Sequence, residues 1–90
     1  FELALEALAT ARTLAPDAPG IELRFAQANY HLGRLDEAEA ALARASTQGQ
    51  AGAPEVLLYA GLVALDRGRL ELAIERLEAG VRAAVERIAL

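Results

Sequence analysis

Apolar residues recur along this chain at three- and four-residue spacing, and glycine and proline interrupt the pattern in four places: 15–20, Gly33, 48–54 and Gly68. Between the interruptions the pattern reads as helix, over about 2–14, 20–32, 36–47, 54–67 and 70–89. β-branched and aromatic residues are scarce, which argues against strands. Ala supplies 22 and Leu 16 of the 90 residues, and both are strong helix formers. Pro19 and Pro54 stand where the first turn of a helix tolerates a missing N–H. Asp36, Glu37 and Glu71 stand near positive helix N-termini. Gly33 and Gly68 mark places where a helix stops and the chain reverses within about three residues. Glu78, Arg82 and Glu86, four residues apart, predict that the last helix is one piece of about 20 residues, roughly 30 Å long. Gly80 inside it costs about 1 kcal/mol against Ala and leaves a break there as the alternative.

The pattern repeats. Gly33-Arg34-Leu35-Asp36-Glu37-Ala38 and Gly68-Arg69-Leu70-Glu71-Leu72-Ala73 are 35 positions apart, with Leu42 and Leu77 at the same place beyond each. Phe1-Glu2-Leu3-Ala4 with Leu8 aligns with Leu35-Asp36-Glu37-Ala38 with Leu42 at a shift of 34. A helix pair of this length cannot bury its apolar stripe alone, so such units stack.

A period of about 34 residues with a glycine turn, followed by acid-x-Ala-x3-bulky, resembles the tetratricopeptide repeat, whose signature is W-x2-L-G-x2-Y, then A-x3-F, then P. One repeat reads Glu22-x2-Phe25-Ala26-x2-Asn29, then Ala38-x3-Leu42. The next reads Leu57-x2-Ala60-Gly61-x2-Ala64, then Ala73-x3-Leu77. The first survives as its second helix, Ala4-x3-Leu8 and then Pro16. Glu22 stands where the family carries its large aromatic, and Gln50 and Val85 stand where it carries proline.

The resemblance implies an all-α fold of antiparallel helix-turn-helix repeats stacked as a right-handed α-solenoid. It divides the chain into a half repeat over 1–18, a repeat over 19–52 and a repeat over 53–90 with an extended last helix. Small residues at Ala26, Gly61, Ala38 and Ala73 are expected to let paired helices approach, and Leu8, Leu42 and Leu77 to fill the space between pairs. The resemblance also implies a concave groove lined by the first helix of each pair. Its expected lining is Leu23, Arg24, Gln27, Tyr30 and His31 from one helix and Leu58, Leu62, Leu65 and Asp66 from the next. In the best-known groove of the family, basic and amide side chains hold a peptide carboxylate. Here Leu23 and Leu58 replace bases, leaving Arg24 and Gln27 for an anion, so an apolar or amphipathic peptide segment is the expected occupant. The alternatives are coverage of these leucines by the chain's own last helix and a symmetric dimer contact.

Charge and composition narrow the chemistry. Thirteen acidic and nine basic side chains give a net charge of −4 and a pI near 4.9. All the bases are Arg, interleaved with acids, and form no row that would track phosphates. With no Cys and one His, and Leu35 one turn from His31, a metal centre has no ligand set. Glu71, Glu75 and Glu78 share one helix face and read as solvated, and Ser46 has no base beside it. The expectation is a protein-protein interaction scaffold that is not an enzyme and needs no cofactor. Its expected partner is another protein or peptide, without nucleic acid or membrane insertion. The longest apolar run, 56–65, is about half of the roughly 20 residues a span requires. The competing expectation is a structural element that forms homo-oligomers through apolar end helices, carrying Phe1, Leu3 and Leu5 at one end and Val81, Val85 and Ile88 at the other. A chain that begins at Phe1 and lacks Met reads as a piece of a longer protein with flanking repeats. Its Ala- and Arg-rich composition fits a GC-rich bacterial genome. Absence of Cys suits either redox compartment, with cytoplasm slightly favoured over periplasm.

Overall fold

The computed structural model describes residues 2–18 and 20–89. Phe1 and Pro19, to which the sequence assigns an end-helix and a first-turn role, lie outside the described residues. Among the described residues all regular structure is helical: α1 (Glu2–Leu14), α2 (Ile21–His31), α3 (Leu35–Ala45), α4 (Pro54–Asp66) and α5 (Leu70–Ala89). The expected helices are all present, with ends within two residues of expectation. Pro54 occupies the first turn of α4 after an extended Ala53.

The two turns that join paired helices are copies of one another. In the first, the amide of Gly33 donates to Tyr30 O and that of Arg34 to Asn29 O. In the second, Gly68 donates to Leu65 O and Arg69 to Ala64 O. Each is a Schellman closure whose penultimate residue must be left-handed. Glycine supplies that conformation at φ 77° and 76°. The sequence repeat is thus a repeat of backbone hydrogen bonding. The α3–α4 connection differs. After Ala45 the helix widens into a π-type turn over Ser46–Gln50, where Gln48 and Gly49 leave helical geometry.

The core is built of small residues. Ala26, Ala38, Ala41 and Ala45 are fully buried between α2 and α3, and Phe25, Leu42, Val56 and Val63 close the cluster. In the α4–α5 pair the contact is closer still. A Cβ placed on Gly61 would lie 2.6 Å from Leu77 Cγ, and one on Gly80 would lie 2.9 Å from Leu58 Cγ. Each leucine therefore seats over a glycine of the facing helix. This explains why α5 runs unbroken through Gly80: the residue is buried, and the approach that it permits offsets its poor helix propensity. It also relocates Leu77. Instead of filling the space between neighbouring pairs, as expected, its side chain lies against Gly61 inside its own pair. Leu42 does lie between pairs, among α3, α4 and α5.

Glu22 departs from the family signature and becomes a structural centre. Its residue is 2% exposed. Arg12 of α1 donates to both of its oxygens at 2.8 and 2.9 Å, and Arg44 of α3 donates to Oε1 at 2.8 Å. The Arg12 guanidinium also lies 3.7 Å from the centroid of the Phe25 ring, a cation–π contact. Burial alone would push the Glu22 carboxyl upward. The hydrogen bonds and charges of Arg44 and Arg12 outweigh it and hold the carboxyl below its ordinary value. One charged cluster thus ties three successive helices at the position where the family uses an aromatic.

Further ion pairs repeat along the stack. Arg34 of the first turn reaches Glu2 of α1 at 3.0 Å. In the second turn Arg67 bonds Asp36 and pairs with Glu39 at 2.8 Å, and Arg69 stands 3.8 Å from Glu39. The turn arginines therefore reach acids in the N-terminal half of an earlier helix, α1 from the first turn and α3 from the second. Arg87 near the end of α5 donates to Glu55 at the start of α4 at 2.7 Å, which lowers the Glu55 carboxyl.

Candidate peptide groove

α2 and α4 are the first helices of their pairs. Two of the proposed groove residues of α2, Tyr30 and His31, pack against α4. The Asp66 carboxylate of α4 is near enough to act on the Tyr30 hydroxyl, and the His31 ring lies edge-on beside Tyr30. Tyr59 of α4 packs against both. Its ring is edge-on to Tyr30, with centroids 5.7 Å apart, and to His31 at 6.1 Å, and its hydroxyl is 3.4 Å from His31 Nε2. Tyr30 and His31 are themselves edge-on at 5.4 Å. Edge-to-face packing of this kind fixes ring orientation, because the positive edge of one ring meets the negative face of the next. Burial first, and then the Asp66 carboxylate, push the Tyr30 hydroxyl above its ordinary value.

The other proposed residues are distributed around this cluster. Arg24, exposed, and Gln27, half-buried, line a depression between α1 and α2 together with Ala4, Ala7, Leu8 and Ala28. Leu23 is half-buried and packs on the core. Leu65 is 45% exposed and Leu62 half-buried, one turn apart on α4. Leu58 is also half-buried, with its side chain against Gly80 of α5. The structure thus gathers Tyr30, His31 and Asp66 with Tyr59, places Arg24 and Gln27 at the α1 side, and turns Leu58 toward α5. Tyr59 was absent from the sequence-based lining. Its signal was its spacing, three residues before Leu62 and seven before Asp66, which puts all three on one stripe of α4.

Other reactive side chains have structural occupations. The Ser46 hydroxyl donates to Leu42 O at 3.0 Å. Glu71, Glu75 and Glu78 are exposed on α5. Among the described residues no three His, Asp or Glu side chains converge on a point that could hold a metal, and no helix is long and apolar enough to cross a membrane.

Two stacked helix pairs with matching glycine turns, preceded by one further helix, define a helical-repeat protein. Residues 1–60 match the family model of the tetratricopeptide repeat, two thirds of the chain, so the chain belongs to that family. Its repeats generally mediate protein–protein interaction and are typically non-catalytic. No curated protein and no solved structure matches the chain significantly.

Proposed function

We propose that the chain is a non-catalytic interaction module that holds an apolar or amphipathic helical segment of another protein against the face of α2 and α4. The observation that supports this reading is the Tyr30–His31–Tyr59–Asp66 cluster with Leu62 and Leu65 beside it. Rings fixed by mutual packing offer broad apolar area at little entropic cost, while the phenol, imidazole and carboxylate orient a polar edge. An amphipathic helix presents that combination of apolar stripe and polar flank. Selection from a displayed library of helical peptides tests it. Peptides with an apolar i, i+3, i+4, i+7 stripe should emerge, and Leu65→Glu should abolish their binding without unfolding the chain. Enrichment of no peptide, or peptides that bind Leu65→Glu unchanged, would overturn the reading.

A second reading rests on α5. Leu70, Ile74, Val81, Val85 and Ile88 are 56 to 84% exposed, and their spacing aligns them along one side of the helix. Under this reading the stripe joins copies of the chain. Light scattering on a sizing column over a tenfold concentration range should then show a dimer that Ile74→Glu dissociates.

A further inference from the structure

Between α3 and the α4–α5 pair lies a partly enclosed cavity of about 160 Å³, which shares no residue with the Tyr30–Tyr59 cluster. Leu42, Ala60, Val63, Ala64 and Leu72 form its walls, and Arg69, Arg76 and Glu39 stand at its rim. Its origin is legible in the repeat. Ala60 and Ala64 occupy the places where the family signature has Leu and Tyr, so α4 presents methyl groups where the family presents large side chains. An aliphatic cavity of about 150 Å³ is large enough for benzene.

The rim selects for charge. Glu39 is already paired with Arg67 at 2.8 Å and with Arg69 at 3.8 Å. Arg76 makes no ion pair among the described residues, and the positions three and four away along α5 are Leu72, Ala73, Ala79 and Gly80, none of them acidic. An exposed guanidinium thus borders an apolar recess, an arrangement that suits a planar carboxylate attached to a compact hydrophobic body.

We infer that this cavity binds an apolar group of about benzene size bearing a carboxylate, with the ring or branched chain on Leu42, Val63 and Leu72 and the carboxylate on Arg76. Such a group is found in a free small acid and in a peptide ending in Phe or Leu. The site is independent of the α2–α4 face.

The test is a methyl NMR titration of the 90-residue chain with sodium benzoate, benzyl alcohol, sodium acetate and an acetylated peptide ending in Phe. Benzoate should shift the Leu42, Val63 and Leu72 methyls saturably, and acetate should not. Arg76→Gln should weaken benzoate by about fivefold and leave benzyl alcohol unchanged. Ala60→Leu should fill the cavity, raise Tm and remove both shifts, and Ala64→Val supplies the same comparison with a smaller intrusion. Tighter binding of the peptide than of benzoate assigns the carboxylate to a chain terminus, and the reverse assigns it to a free acid; either upholds the site. The inference is overturned by the absence of saturable shifts up to about 20 mM benzoate. Shifts that persist in folded Ala60→Leu or Ala64→Val, or that are indifferent to Arg76→Gln, overturn it equally.

Discussion

Replacing Glu22 by Ala tests whether a buried charge cluster does the work of the aromatic that the family carries there. The substitution removes three charge-assisted hydrogen bonds and leaves a void beside Phe25. Hydrogen bonds to charged groups contribute about 1.5–3 kcal/mol each when isolated, but a simple sum would overstate the loss. The Arg12 and Arg44 side chains are 37% and 48% exposed, so both guanidiniums recover water when the carboxylate goes. The expected cost is about 2–3 kcal/mol, which for a domain of this size lowers Tm by about 10–20 °C. Glu22→Leu removes the charge but refills the volume, and should fall within about 1 kcal/mol of the parent. Thermal and urea unfolding followed by circular dichroism measure both. The pH dependence supplies an independent check. The Glu22 carboxyl is lowered in the folded chain, so its stabilisation is complete above the ordinary value near 4.5 and is lost as pH falls toward the lowered one. The stability gap between parent and Glu22→Gln should therefore narrow as pH drops through that window. A Glu22→Ala variant within about 0.5 kcal/mol of the parent, or a Glu22→Leu variant as damaged as Glu22→Ala, would refute the reasoning.

Three further substitutions probe the frame. Gly61→Ala forces a methyl to within 2.6 Å of Leu77 Cγ, and should cost about 1–3 kcal/mol in urea unfolding despite the better helix propensity of Ala; pairing it with Leu77→Ala should recover part of that loss. Gly33→Ala meets open space but keeps a φ of 77°, and should lower stability by about 1 kcal/mol through backbone strain alone. Arg87→Ala breaks an exposed ion pair with Glu55 and should lower stability by no more than about 0.5 kcal/mol, the loss vanishing in high salt.

The helices and their ends were legible because the signals were local. Gly33 and Gly68 require a left-handed residue, Pro54 requires a helix start, and the 35-residue echo of Gly-Arg-Leu-acid-x-Ala copies a hydrogen-bonding pattern. Features that depend on distant partners were not legible. The charge of Glu22 reads as a departure until Arg12 and Arg44, 10 and 22 positions away, are seen to close on it. Leu77 and Leu58 have the same pattern as any interior leucine, and only the facing glycines decide that both seat inside the α4–α5 pair. In the groove, Tyr59 enters because α4 carries it against Tyr30 and His31, a contact that no pattern within α2 discloses. The π-type turn after Ala45 also escaped a reading based on glycine and proline, since Ser46 and Thr47 continue the helical path before Gly49 reverses it.

The most direct test of the central reading is to map where a selected amphipathic peptide lands, by amide and methyl chemical-shift perturbation on the 90-residue chain. The account predicts shifts confined to Tyr30, His31, Tyr59, Leu62, Leu65 and Asp66, with the Leu70, Ile74 and Val81 signals unmoved. Perturbation centred on the α5 stripe instead, with the Tyr30–Tyr59 cluster silent, would contradict it.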